Sequence, residues 1–174
     1  SEYAVIVSDN GTASGNAGIA VSKVYDNGTT TATATGATGG HTDLELCSLT
    51  HLGGTFYLAL SDNLVTNDNV SVWKSTDLAT WSQIGSDFTI TGAAAGIAIG
   101  TTGSSASDAG VWVAVNDDTG TVEVLHYEDI AGGSTSVWRS VGTVLTGATT
   151  SGAAAGVSIA TDGTSVIGVS AGIS

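Results

Sequence analysis

Three observations predict an all-β chain built from repeated antiparallel units. There is no Pro, Gly occurs 25 times, Ser and Thr are abundant, and no stretch combines helical apolar period with helical length. The apolar runs are short, rich in Val, Ile and Thr, and bounded by Gly, Asn and Asp, which is strand and turn chemistry. Groups of residues also return in the same order about every 55 residues, the mark of a repeat architecture. A chain of 174 residues suits one domain and is long enough to bury a core.

The repeats define the elements. Thr33-Ala-Thr-Gly-Ala37 returns as Thr89-Ile-Thr-Gly-Ala93 and as Val144-Leu-Thr-Gly-Ala148, with glycines 56 and 55 residues apart (92 − 36 and 147 − 92). Tyr3-Ala-Val-Ile-Val-Ser-Asp-Asn10 returns as Tyr57-Leu-Ala-Leu-Ser-Asp-Asn63 and as Trp112-Val-Ala-Val-Asn-Asp-Asp118. Lys23-Val-Tyr-Asp26 returns as Lys74-Ser-Thr-Asp77 and His126-Tyr-Glu-Asp129. Trp81-Ser-Gln-Ile-Gly85 returns as Trp138-Arg-Ser-Val-Gly142, and Ala93-Ala-Ala-Gly-Ile-Ala-Ile99 as Ala153-Ala-Ala-Gly-Val-Ser-Ile159.

Taken in order, residues 1–39 form a partial module, 40–92 and 93–152 two full ones, and 153–174 another partial one. The first carries strands two to four of a unit and the last carries strand one and part of strand two. Strands are expected at roughly 43–49, 55–61, 70–76 and 81–91 in the second module, and at 95–101, 110–116, 121–128 and 137–146 in the third. Four antiparallel strands per repeat, with an aromatic and an Asp turn, describe a β-propeller blade. Joining the two partial modules would make only three blades, fewer than the four to eight usual in propellers. The chain is therefore expected to belong to a longer propeller, to associate with copies of itself, or to form another β-architecture such as a β-sandwich or jelly-roll subunit of a filament. Tyr3 to Asp9 has the pattern of a second strand whose first-strand neighbour is encoded near 153–160. These two segments are expected to pair, within one molecule or between copies.

The most informative stretch is Val70 to Gly85. Val70, Val72 and Lys74 alternate with Ser71, Trp73 and Ser75, a strand with two different faces. Ser75, Thr76 and Asp77 then break the run, because Ser and Asp side chains bond nearby backbone amides. Trp81 opens a second short strand. This unit resembles the Asp-box hairpin of sialidase-like propellers, Ser-x-Asp-x-Gly-x-x-Trp, with Ala79 in place of the glycine and Trp81 one position early. The resemblance covers 70–85 and, weakly, 122–142. It implies that Ser75, Asp77 and Trp81 form a structural turn.

Composition narrows the function classes. The net charge is −13, and the only basic residues are Lys23, Lys74 and Arg139. Nucleic acid is excluded as a partner, because phosphate binding needs clustered cations, and anionic membrane surfaces are excluded likewise. No apolar run reaches the roughly 18 residues of a membrane span. Cys47 is the only cysteine, so no internal disulfide forms, and its apolar neighbours Leu46 and Leu49 suggest a buried, inert thiol. The lack of an initiator Met, with the acidic, Ser/Thr/Gly-rich composition, suggests a processed secreted or virion-surface protein, or a fragment of one.

Candidate sites follow. Sialidase chemistry needs an arginine cluster, and Arg139 stands alone. No nucleophile, phosphate-loop or zinc motif occurs, and His41, His51 and His126 lack ligand spacing. A glycosidase carboxylate pair is the one enzymatic arrangement that sequence spacing does not test, since such a pair need only meet in space. The expectation is a non-enzymatic protein without a cofactor. Trp81 and Trp138, at the repeated start of strand four, are expected in the core. Trp73 and Trp112 lie mid-strand and serve either blade packing or an open face. With Asp62, Asn63, Asp117 and Asp118 nearby in loops, an open aromatic face would suit sugar stacking and hydroxyl bonding. The same oxygen-rich loops suit Ca²⁺, and Asx-turns explain them equally well. Asn10, Asn27 and Asn69 begin glycosylation sequons.

The expected function is glycan recognition or adhesion at the cell exterior or on a virion surface. The glycan part rests on analogy with Asp-box propellers, including phage tail and secreted lectin-like proteins. The alternative is a structural subunit of an extracellular filament, sheath or virion, assembled by strand complementation between chain ends.

Overall fold

The computed structural model describes residues 3–9, 19–36, 44–62, 68–107, 109–117, 121–128, 137–146 and 156–171. All regular elements among them are strands, arranged in antiparallel sheets, none of which closes on itself.

The first sheet joins β1 (Tyr3–Asp9), β2 (Ile19–Tyr25) and β3 (Thr30–Gly36) in that order. The second joins β4 (Leu44–Leu52), β5 (Thr55–Asp62), β6 (Asn69–Ser75) and the short β7 (Ser82–Gln83), with β8 (Phe88–Thr89) also on β6. The third joins β9 (Ala94–Thr102), β10 (Gly110–Asp117), β11 (Thr121–Glu128) and β12 (Val137–Thr146). The fourth is the pair β13 (Val157–Thr161) and β14 (Val166–Ala171).

The sheets stack face to face in chain order, and the period of two explains how. In β5, Leu58 and Leu60 point to one side and join Val21 of β2, with Val5 and Val7 of β1 packed against them. Tyr57 and Ala59 point to the other side and join Ile97, Ile99, Val111 and Val113 of the third sheet. Side chains on successive strand residues alternate between faces, so a central strand needs apolar residues at both parities to hold two neighbours. The third sheet meets the fourth at Gly100, where an added Cβ would strike Ile159 and crowd Thr161. A Gly103 N–H bond to the Gly163 carbonyl at 2.6 Å joins the two hairpin ends.

Several expectations are corrected. Strand four of the second module was expected to run through 81–91; it is two short pieces. Gly85 interrupts it at φ +69°, and a Cβ there would lie 2.7 Å from Trp138 Nε1, so backbone conformation and the close indole both demand glycine. Cys47 is exposed, its thiol facing the Val7 carbonyl at 3.8 Å; it shares the face of Leu49, but β4 is the edge strand of its sheet and leaves this side chain open to solvent. Within one molecule, among the described residues, no ladder joins β1 to β13: β1 pairs only with β2, and β13 only with β14, which leaves pairing between copies as the form that this expectation takes. Each has a sequence neighbour within hairpin reach, which satisfies one edge locally without a long closure.

Candidate ligand-binding site

The Asp77 hairpin organises one end of the second sheet. The amides of Ala79 and Thr80 donate to Asp77 Oδ1 at 2.8 and 2.7 Å, and Ser75 Oγ donates to the same oxygen at 3.0 Å. Ser75 Oγ in turn accepts from Leu78 N at 2.8 Å. These bonds hold Leu78 at φ +66° with its side chain fully buried beside Leu58 and Trp73. The hydrogen bonds from Thr80, Ala79 and Ser75 lower the Asp77 carboxyl from 3.8 to about 2, because each favours the charged form. Asp162 builds a second such turn, accepting from Thr164 N at 2.8 Å and Ser165 N at 2.7 Å, and these bonds likewise lower its pKa. The Asp162-Gly163 dipeptide between two strand patterns is the signal that marks it.

Beside Asp77 lies a cleft of about 310 Å³. Its wall is a cross-strand row, Tyr57 of β5, Lys74 of β6 and Ser82 of β7, which the antiparallel register sets side by side. Thr55, Thr76 and Thr80 add hydroxyl groups, and Ala106, in the loop between β9 and β10, also lines it. That loop is brought in by Gly53, whose Cβ would lie 2.8 Å from Ala106 N. Tyr57 and Thr55 are buried, and desolvation pushes the phenol of Tyr57 above its usual range, partly offset by its bond with Thr55. The phenol is therefore neutral near pH 7 and serves as donor and acceptor. Lys74 is exposed at the mouth. The arrangement is rich in hydroxyls and holds one cation and one carboxylate already engaged by its hairpin.

The structure separates the other expected site residues. Trp73 is 8% exposed, its Nε1 donates to Ser71 Oγ at 2.9 Å, and it packs in the core between the first and second sheets. It offers no open face, so its mid-strand position reflects packing between sheets. Trp112 lies on a different sheet, half-buried, stacked on His126 at 4.0 Å and donating to Thr102 Oγ1 at 3.1 Å. Asp62 is also buried, accepting from Asn69 N at 2.9 Å, which ties it to the start of β6 rather than to a ligand. Asp117 accepts from Thr121 N at 2.7 Å within the β10–β11 connection. Asn63, Asp118 and Asn10 lie outside the described residues. Asn27 is exposed in a turn, accepting from Thr29 N at 2.9 Å, and Asn69 accepts from Thr89 Oγ1 at 2.8 Å. Trp81 packs beside Leu58, and Trp138 packs on the opposite core beside Phe88 and Tyr127. Among the described residues no three His, Cys, Asp or Glu side chains gather as metal ligands would.

Sequence reasoning missed the cleft because its residues come from strands whose contact depends on register. Lys74 and Tyr57 were legible only as repeat markers. No family model matches the chain, and neither a curated protein nor a solved structure matches it significantly.

Proposed function

We propose that the chain is part of a propeller-like stack of blades and acts as a non-enzymatic glycan-binding protein at the cell exterior or on a virion surface. The observation that carries the binding reading is the hydroxyl-lined cleft beside the Asp77 hairpin. Saccharides are recognised by convergent hydroxyl, amide and charged groups in a preformed hollow, and Thr55, Tyr57, Thr76, Thr80 and Ser82 supply such groups. A binding role suits this hollow better than hydrolysis. Glycoside cleavage uses two carboxyl groups, one of them protonated, whereas Asp77 is held near 2 by its own hairpin. The propeller reading is supported by sheets that stack in chain order, each of the two central ones covered on both faces. The test is a glycan array with the intact protein and with Ser82→Trp, an exposed position where an indole fills the cleft. Saccharide binding lost in the variant is expected; an array without hits, or hits that survive Ser82→Trp, would overturn the reading.

A structural role is the second reading, favoured by one observation. The outward face of the first sheet leaves Ile6 52% exposed, on a strand with only one ladder partner. Light scattering separates the two: growth into polymers with rising concentration supports the subunit, and a constant monomer mass removes it.

A further inference from the structure

We propose that the cleft takes an acidic saccharide, one bearing a single carboxylate or sulfate, with the Lys74 ammonium as its counter-ion. This rests on the glycan reading of the same cleft and goes further by naming the charge of the ligand.

The argument begins with how few cations the chain has. Of its three basic side chains, Lys23 lies over the Tyr3 ring at 4.9 Å, and Arg139 has interactions of its own. The Lys74 side chain makes no hydrogen bond or ion pair among the described residues. In a protein of net charge −13, with 16 carboxylates available, a lysine that shares its cleft with Asp77 yet forms no ion pair is an unusual placement. Its position adds to this. Register sets Lys74 between Tyr57 and Ser82, so that a phenol and a hydroxyl flank the ammonium along one wall. A sugar whose charged group meets Lys74 would place its neighbouring hydroxyls against these side chains.

Asp77 does not cancel this charge. The Asp77 carboxylate keeps its full charge, but its Oδ1 is held in its own hairpin by Ser75 Oγ, Ala79 N and Thr80 N and it forms no ion pair with Lys74, which leaves the ammonium open to a ligand. The overall charge also limits the ligand. A polyanion would be repelled by the rest of the surface, while a single charge in contact with Lys74 feels distant carboxylates only through physiological salt, which screens beyond about 8 Å. The ligand is therefore a short saccharide of low charge.

Calorimetric titration of the intact protein tests this with three probes that differ at one position: a glucose disaccharide, its glucuronate counterpart and its 6-sulfated counterpart. An exposed ion pair predicts about five-fold tighter binding of an acidic probe than of the neutral one. Lys74→Gln removes that preference, bringing the acidic probes to the affinity that the same variant has for the neutral one, and Lys74→Arg keeps it. A preference for only one anion supports the proposal and identifies which anion the site accepts. Equal binding of all three probes, or a preference that survives Lys74→Gln, overturns the proposal and leaves the glycan reading standing. Binding of every probe that is unchanged in Ser82→Trp overturns both.

Discussion

The same short sequence occupies two different environments in this protein. Ala95-Gly-Ile-Ala-Ile99 lies in β9 and Ala155-Gly-Val-Ser-Ile159 runs into β13. In β9, Ile97, Ala98 and Ile99 are all buried, at 9%, 7% and 7% exposure. In β13, Val157 and Ile159 are half-buried, while Ser158 and Ala160 are exposed. The residue types barely differ; the neighbours do. β9 has the second sheet on one side and β13 on the other, whereas β13 has β9 and β10 on one side and, among the described residues, nothing on its second face. Full burial of a strand is thus a property of its position in the stack.

The largest effect that tests this contrast is truncation at the equivalent isoleucines. Ile99→Ala should cost about 2–5 kcal/mol, because it opens a cavity between two sheets that cannot collapse onto it. Ile159→Ala should cost well under half as much, since half of that side chain's surroundings is already water. Chemical denaturation of both variants decides the matter, and equal losses would mean that β13 is as enclosed as β9.

The contact between the two segments sharpens the comparison. Gly100→Ala drives a methyl group into Ile159 and should destabilise by about 1–3 kcal/mol, the usual range for overpacking. Adding Ile159→Ala should recover part of that loss, which a double-mutant cycle would read as coupling. Additive losses would place the fourth sheet elsewhere.

A smaller effect compares the two Asp turns. The Asp77 carboxyl is lowered from 3.8 to about 2 by its hydrogen bonds, so the stability it contributes is fully present above the unfolded value. That contribution is lost as pH falls from about 4 toward 2. Asp162 is lowered in the same direction by the Ser165 and Thr164 amides, so its share is likewise present above the unfolded value and is lost as pH falls through its own lowered pKa. Asp77→Asn keeps an oxygen that can accept from the Ala79 and Thr80 amides, so the melting midpoint at neutral pH should fall only modestly while its acid dependence flattens. Melting curves between pH 2 and 6 check this, and an unaltered acid limb would show that the turn carries no ionic contribution. Asp162→Asn should do less, because no side chain corresponding to buried Leu78 depends on that turn.

Much of this was legible in the sequence, and for local reasons. The strands expected at 55–61, 70–76, 110–116, 121–128 and 137–146 lie within two residues of β5, β6, β10, β11 and β12, because alternation and turn residues act over neighbouring positions. The Ser75-Thr76-Asp77 turn was legible for the same reason: its donors lie two and three residues from their acceptors.

What only tertiary structure decided concerns residues far apart in the chain. The burial of Trp73 depends on which sheet lies across its face, and the exposure of Cys47 on the edge position of β4 in its sheet. The break in strand four depends on Trp138, 53 residues beyond Gly85 (138 − 85), pressing against the backbone there. The cleft exists because register sets Tyr57, Lys74 and Ser82 in one row and the fold brings Ala106 of the β9–β10 loop beside them. A single sequence records the backbone preference and apolar parity of each strand. It does not record which face a distant sheet will cover, because that choice is made by packing energy summed over many weak contacts between segments.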